Sequence, residues 1–231
     1  MVPAITYSSV LQSLEHAFES KYDNEERKKR VRMVGLVFAR PGTDLVAREI
    51  VPHLGYFNER SGDKIDFFFM GYGIAAIPQE IRKDHQVALP EVRHGYGAWF
   101  FDDRAFTHAV VQVEAECRWA YSGVADLILV DASWRNGRRR IDLDFSRALA
   151  VDLAKAREDG AITSIERFFE QIFRFAAKAP DTDPTRGFST SSTLAAGRNS
   201  FIDVVLSLLP RGIGAEVKKA PHFMTSDLGL E

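Results

Sequence analysis

Residues Ala125 to Phe145 read ADLILVDASWRNGRRRIDLDF and give the clearest indication of the fold. Two mainly apolar segments flank Asn136-Gly137, the dipeptide that two-residue type I′ turns favour. The pattern therefore predicts an antiparallel β-hairpin. In the register that this turn imposes, Asp131 lies directly opposite Asp142.

The predicted hairpin has one apolar face and one charged face. The apolar face is expected to pack on the core, and it comprises Ile128, Val130, Ala132, Ile141, Leu143 and Phe145. The charged face carries Asp131, Asp142 and Asp144, and the last two are roughly 7 Å apart along the strand. Like charges on opposite strands destabilise the pairing unless something neutralises them.

These three carboxylates allow three interpretations. Carboxylate oxygens are ligands that Mg²⁺ and Mn²⁺ prefer, and a metal bound there would activate water for phosphodiester hydrolysis. Asp131, Asp142 and Asp144 are therefore the candidate catalytic and metal-binding residues of an alternative function, a metal-dependent phosphodiesterase or nuclease. In the second interpretation, the charged face binds a partner. In the plainest interpretation, neighbouring arginines neutralise the acids on a face that is solvated or covered by a helix. Those arginines are Arg135, Arg138, Arg139 and Arg140.

The hairpin and the predicted helix before it resemble the core of the PD-(D/E)xK nucleases. That family carries an acid at the end of one strand and an acid-x-lysine motif on the next, and Glu114 or Glu116 fits its additional helical acid. The resemblance implies a metal-dependent nuclease. The chain departs from the motif because Phe145 follows Asp142-Leu143-Asp144 where the family has lysine. In the predicted register, Asp126 also lies on the opposite face from the other acids.

A β-α-β unit is predicted ahead of the hairpin. Residues Met33 to Ala39 form a continuous apolar run, which is typical of a strand buried on both faces. The turn ARPGTD follows, and a helix begins near Thr43 or Asp44. Lys64 to Gly71 then form a second apolar strand, which completes a parallel crossover.

Two helices are predicted after the hairpin. The first runs from Arg147 to Glu158 and ends before Gly160. The second begins with a capping box formed by Thr163 and Glu166. Its apolar stripe is expected to pack in the core or at an interface, and it comprises Ile165, Phe168, Phe169, Ile172, Phe173 and Ala176.

These elements predict an α/β protein with a mixed sheet, which contains one parallel βαβ crossover and one antiparallel hairpin, and with helices on both faces. The element order resembles that of a thioredoxin-like sheet, although Arg40-Pro41-Gly42-Thr43 stands where that family carries Cys-x-x-Cys. We expect residues 1–178 to form the α/β domain with its N-terminal helix. Residues 179–197 are predicted to be a linker, and residues 198–231 a C-terminal helix and tail.

The predicted C-terminal helix carries too many apolar side chains for a solvated helix. It reads RNSFIDVVLSLLP, and the residues that need a surface are Phe201, Val204, Val205, Leu208 and Leu209. The helix either docks on its own domain, or binds a second copy or another protein through helix-in-groove packing. The partner-binding residues of that second hypothesis are Phe201, Val205, Leu208 and Leu209.

A ligand-binding rim is predicted where the two parallel strands end. Ligands of α/β sheets favour the carboxyl ends of strands, and a helix N-terminus there presents free N–H groups to an anion. The candidate ligand-binding residues are Arg40, Thr43, Asp44, Tyr72 and Tyr96. The alternative is that the Pro-Gly and Gly-Tyr-Gly segments only form turns, and no nucleotide-binding glycine motif supports a nucleotide.

Composition narrows the class of function. A formal net charge of −2 argues against nucleic acid or a membrane surface as the partner. The single cysteine, Cys117, excludes an intrachain disulfide and is expected to be a small core side chain in a cytoplasmic protein. No signal-peptide pattern, zinc motif or G-x-S-x-G motif is present.

The sequence therefore predicts a cytoplasmic α/β protein that acts mainly by binding a protein partner or a small anionic ligand. It carries no strong catalytic motif and implies no cofactor. Only the alternative function, with the aspartates of the hairpin, calls for Mg²⁺ or Mn²⁺.

Overall fold

A six-stranded mixed sheet and a smaller three-stranded sheet organise the protein. The computed structural model describes residues 2–61, 65–75, 84–94, 97–135, 141–178, 224–226 and 228–230. The strands are β1 (Val2–Ala4), β2 (Val31–Ala39), β3 (Ile65–Met70), β4 (Tyr72–Ala75), β5 (Gln86–His94), β6 (Gly97–Asp102), β7 (Ala125–Trp134), β8 (Ile141–Asp152) and β9 (Met224–Ser226). The helices are α1 (Tyr7–Lys21), α2 (Asn24–Arg27), α3 (Leu54–Ser61), α4 (Asp103–Glu116), α5 (Leu153–Glu158) and α6 (Ile165–Lys178), and a π-helical turn (Val46–Ile50) with a 3-10 turn (Val51–His53) leads into α3.

The large sheet has the strand order β1-β3-β2-β7-β8-β9. Strand β2 is parallel to β3 and antiparallel to β7, and β8 is antiparallel to β7. The predicted α/β class is therefore confirmed, because one parallel crossover and one antiparallel hairpin share a mixed sheet. None of the described helices is long and apolar enough to cross a membrane.

Helices cover both faces of this sheet, and β2 lies between them. On one face, the Phe38 ring packs against the rings of Phe106 in α4 and Trp119. On the other face, Phe67 packs against Phe169 in α6. A Cβ on Gly35 would lie 2.5 Å from the Phe67 ring, so the absence of a side chain at position 35 lets this aromatic ring sit across β2. The continuous apolar run of β2 is thus buried on both sides, as predicted.

Helix α6 is held by its aromatic stripe, which lies in the core as expected. The Phe169 ring is stacked on the Phe57 ring at a centroid distance of 4.6 Å and approaches the Phe67 ring at 4.9 Å. The six stripe residues are buried, and they are Ile165, Phe168, Phe169, Ile172, Phe173 and Ala176. Burying large apolar side chains of this kind contributes roughly 1.5–3 kcal/mol each, so the core fixes the orientation of α6 and of its outer face.

The predicted register of the hairpin is wrong. Asp131 pairs with Asp144, and Asp142 pairs with Ser133. A bulge then shifts the pairing, so that Leu129 lies opposite Leu149. The described strands end at the Trp134–Ile141 pair. A two-residue turn at Asn136-Gly137 does not give this pairing, so the register predicted from that turn fails. The turn itself lies outside the described residues.

The predicted helix from Arg147 to Glu158 is also partly wrong, since β8 continues to Asp152 and only Leu153–Glu158 is helical. Beyond the bulge, the residues around Leu149 pair with β7 on one side and with β9 on the other. Pairing on both sides overrides the local helical pattern. Asp152 then caps α5, because its side chain accepts a hydrogen bond from the Lys155 N–H at 2.9 Å.

The segment between Gly73 and Gly97, to which the sequence assigns no elements, contributes to the small sheet. This sheet has the order β4-β6-β5 with antiparallel pairing throughout. It buries Tyr72, Trp99 and Phe101 against the main core. Strand β6 lies at its centre.

The end of the chain returns to the large sheet. Strand β9 pairs with β8, and the Leu228 side chain is fully buried. The backbone N–H of Arg118 donates to the Leu228 carbonyl at 2.7 Å, and its Nε donates to the Gly229 carbonyl at 2.7 Å. The predicted linker at 179–197 and the C-terminal helix lie outside the described residues, whereas this part of the tail is integral to the domain.

Candidate functional site

The predicted rim is assembled around Arg40 at the end of β2. The Arg40 Nε lies 3.1 Å from the Asp103 carboxylate, and its Nη2 donates to the Thr107 hydroxyl at 3.4 Å. The guanidinium carbon lies 5.2 Å from the centre of the Phe106 ring, within the range of a cation–π contact. The charge of Arg40 is therefore already balanced by an acid at the N-terminus of α4.

The other rim residues have structural contacts of their own. Tyr72 is fully buried, and its hydroxyl donates to the Ala39 carbonyl at 2.8 Å, while burial raises the pKa of the phenol. The Thr43 hydroxyl donates to the Arg40 carbonyl at 3.4 Å. Asp44 pairs with Arg48 at 3.4 Å on an exposed surface. The structure thus brings Arg40 and Tyr72 to one end of β2, where the described rim residues contact other groups of the protein, and Tyr96 lies outside the described residues.

The three hairpin acids share one face, as expected, but two of them bind neighbouring groups. The Asp142 carboxylate lies 2.7 Å from the Arg135 guanidinium, and Asp144 accepts a hydrogen bond from the Ser146 N–H at 3.1 Å. Asp131 is 5% exposed and also interacts with neighbouring groups. Within the described ranges, no group of three histidine, cysteine or acidic side chains is arranged to hold a metal ion. The metal-dependent alternative stays a prediction, and this geometry adds no support to it.

A different acidic pair was not anticipated from the sequence. Asp126, which is 2% exposed, lies across the β7–β8 ladder from Asp152. Its Oδ2 accepts hydrogen bonds from Trp119 Nε1 at 3.0 Å and from the Ser122 N–H at 2.9 Å. Burial raises the pKa of Asp126 to about 6, and the nearby charge of Asp152 acts in the same direction. This carboxyl group is enclosed, so it is a candidate for a pH effect on stability and not for contact with a ligand.

An open groove of about 550 Å³ lies on the outer side of α6. Concave sites of this size accommodate small ligands or segments of a partner. Its lining combines buried apolar residues with hydroxyl, amide and guanidinium groups. The lining residues are Ala161, Ile162, Thr163, Ser164, Arg167, Phe168, Glu170, Gln171 and Arg174. This α6 groove was missed in the sequence because its polar residues appear there as the ordinary solvated face of an amphipathic helix.

Glu170 is the one acid among the lining residues, and side chains outside the groove bind its carboxylate. Arg60 donates to Glu170 through Nε at 2.8 Å and Nη2 at 3.0 Å, and the Tyr56 hydroxyl also donates to Glu170 Oε1. The hydrogen bonds from Arg60, together with that from Tyr56, lower the pKa of Glu170 to about 2 although burial opposes them. Arg174 lies 3.9 Å from the same carboxylate. For Arg167, no ion pair or side-chain hydrogen bond is found in the described part of the chain. The groove therefore carries a surplus of positive charge.

An ion pair between Glu49 and Arg157 holds the end of the groove in place. Glu49 accepts three hydrogen bonds from Arg157, at distances of 2.6 to 3.1 Å, and one from the Ile165 N–H at 3.0 Å. Burial raises the pKa of Glu49, but the hydrogen bonds from Arg157 and Ile165 outweigh it and leave the pKa below its usual value. Arg157 Nη1 also donates to the Ile162 carbonyl at 3.3 Å. The segment that precedes α6 is thus held rigidly, and with it the groove wall.

No protein-family model, curated protein or solved structure matches this chain significantly. Functional inference therefore rests on the geometry of the rim, the acidic pairs and the α6 groove. The α6 groove combines an opening with charged groups that line it.

Proposed function

We propose that the protein works by binding an anionic ligand in the α6 groove. The observation that carries this proposal is the charge balance of the lining: Arg167 and Arg174 face the groove, while Glu170 is neutralised by Arg60. Guanidinium groups bind carboxylates and phosphates through paired hydrogen bonds, which makes an anion the matching ligand.

The remaining lining residues suit the same role. Phe168 and Ile162 form an apolar floor, which removes water from part of the ligand. Ser164 and Gln171 are half-buried and offer uncharged polar groups at the wall. A site with an apolar base and a few convergent polar groups is the usual form of a ligand pocket.

The test uses inorganic pyrophosphate as the probe. We expect the unfolding temperature of the wild-type chain to rise with pyrophosphate concentration, because a ligand that binds the native state stabilises it. The double variant Arg167→Gln with Arg174→Gln should lose this rise. Arg104→Gln removes an exposed arginine from α4 and serves as the matched control. Equal rises in all three proteins would show nonspecific ion effects and refute the groove as the site.

The partner-binding role of the C-terminal apolar segment is a second proposal, supported by the sequence of Phe201 to Leu209. Deletion of everything after Ala196 would be a poor test, because it would also remove β9 and the buried Leu228. We propose Val205→Glu with Leu208→Glu instead. If the segment binds a second copy, the sedimentation coefficient should fall to the monomer value while the unfolding temperature stays unchanged. A large loss of stability would indicate docking on its own domain.

We also propose a reducing cytoplasm as the compartment. The support is that Cys117 is the single cysteine and is buried, with a pKa that burial raises to about 11. A thiol in this state is a poor nucleophile and a core side chain, as the sequence predicts. Thiol labelling should therefore be slow in the native protein and fast after denaturation.

A further inference from the structure

The α6 groove also indicates which kind of anion it takes, and this inference rests on the proposed function. We propose that its occupant is an acidic segment of a partner polypeptide, in an extended polyproline II conformation, with two acidic side chains three residues apart. Arg167 and Arg174 would each bind one of them, and the residues between the two acids would lie over the apolar floor.

The spacing of the two arginines favours two anionic groups over one. They lie seven positions apart on α6, so their Cα atoms are separated by about 10 Å along the helix. A polyproline II segment repeats every three residues with a rise of about 3.1 Å per residue, which places acids at i and i+3 on one face about 9 Å apart. A single carboxylate or phosphate pairs with one guanidinium and leaves the other unused.

The lining between the arginines suits a peptide backbone. Gln171 is half-buried, lies between Arg167 and Arg174 along the helix, and presents both a donor and an acceptor. Polyproline II has no internal hydrogen bonds, so its backbone carbonyls are free to bind such a group. Phe168 and Ile162 offer an apolar surface to the side chains between the acids, and proline fits there because it already favours this conformation.

Charge complementarity decides between the possible occupants. Glu170 cannot repel an acidic peptide strongly, because Arg60 and Tyr56 already bind its carboxylate. A neutral apolar segment would supply no counter-charge to Arg167, for which no ion pair is found among the described residues. The groove is also open at the surface, which gives a partner segment access to its lining.

Fluorescence polarisation with labelled hexapeptides tests the proposal. The probe is Gly-Asp-Pro-Pro-Asp-Gly, and the controls are the same peptide with asparagine for both aspartates and one with the aspartates adjacent. We expect the spaced acidic probe to bind more tightly than both controls. Arg167→Gln and Arg174→Gln should each weaken binding by about two- to fivefold, as for exposed ion pairs, and Arg104→Gln should not. Circular dichroism spectra of all variants must match that of the wild type.

The outcomes separate this inference from the proposed function. If pyrophosphate binds in an arginine-dependent way and the spaced peptide does not, the peptide inference is overturned and the anion site stands. Failure of both probes overturns both. Peptide binding that ignores Arg167 and Arg174, or that is equal for spaced and adjacent acids, also refutes the inference. Self-association that the double variant abolishes would assign the groove to a second copy and overturn it.

Discussion

Two carboxyl groups on opposite sides of the sheet, Asp126 and Glu170, show how differently this protein treats its acids. Asp126 is buried beside Asp152, and the hydrogen-bond donors identified for it, Trp119 and Ser122, are neutral. Burial raises its pKa to about 6. Glu170 accepts two hydrogen bonds from Arg60, whose influence lowers its pKa to about 2. Asp126 therefore tends to become neutral, while Glu170 stays charged and its charge is balanced by Arg60.

The contrast between these two acids locates the positive charge that is not balanced by a neighbouring acid. Around Asp126 there is a deficit of cations, and Arg40 nearby on the rim is committed to Asp103. Around Glu170 there is a surplus, since this acid pairs with Arg60 and Arg174 and Arg167 lines the same groove. Our proposal of anion binding is based on that surplus beside an open groove. The predictions below test each half of this comparison.

The largest effect is expected from the core that supports the groove. Phe169→Ala should destabilise the protein by about 3–5 kcal/mol, because it leaves a cavity between Phe57, Phe67 and α6. Phe175→Ala, on a half-buried position of the same helix, should cost clearly less. Urea unfolding followed by circular dichroism measures both. Equal costs would contradict the claim that this stripe anchors α6.

The next largest effect concerns Asp126. Because its folded pKa of about 6 exceeds the ordinary aspartate pKa of 3.8, the folded state holds this proton more tightly. Stability should therefore fall as pH rises between these two values, and the penalty should be complete above pH 6. Asp126→Asn should flatten this pH dependence and raise the unfolding free energy at pH 8 by about 1–3 kcal/mol.

Asp84→Asn, at an exposed position, is the control for this measurement. Unfolding free energies from pH 4 to pH 8 provide the data. An unchanged slope in Asp126→Asn would contradict the assignment of the pH dependence to this buried acid.

A smaller effect of opposite pH dependence is expected for Glu170. Its folded pKa is lowered, so the stability it contributes is present above pH 4.5 and is lost as pH falls toward 2. Glu170→Gln should cost about 1–2 kcal/mol at pH 7, since the charged hydrogen bonds from Arg60 are weakened. The cost should shrink in acid. Glu158→Gln, on an exposed position of α5, should cost less than about 0.5 kcal/mol.

Local patterns were sufficient for the parts of the fold in which periodicity and burial agree. The apolar run at Met33–Ala39 forms the buried strand β2, and the stripe from Ile165 to Ala176 forms the buried face of α6. Cys117 lies in the core, as expected. These outcomes depend on side chains whose only favourable location is an apolar interior, so the sequence specifies them directly.

Features that depend on long-range pairing were not predicted. The hairpin acids take their register from the Trp134–Ile141 pair, a bulge shifts the pairing of β7 and β8 again between Asp131 and Leu129, and β9 pairs with β8. The α6 groove was missed for the same reason. The charge of Glu170 is balanced by Arg60, more than a hundred positions away in sequence, so the surplus at Arg167 cannot be seen in the helix alone.

Amide chemical shifts of the isotope-labelled protein, recorded during a titration with inorganic pyrophosphate, locate the anion site residue by residue. The account predicts that saturable shifts concentrate at Ser164 to Arg174, and that they disappear in the double variant Arg167→Gln with Arg174→Gln. Shifts centred on Arg40 and the start of α4, or no saturable shifts at all, would contradict it.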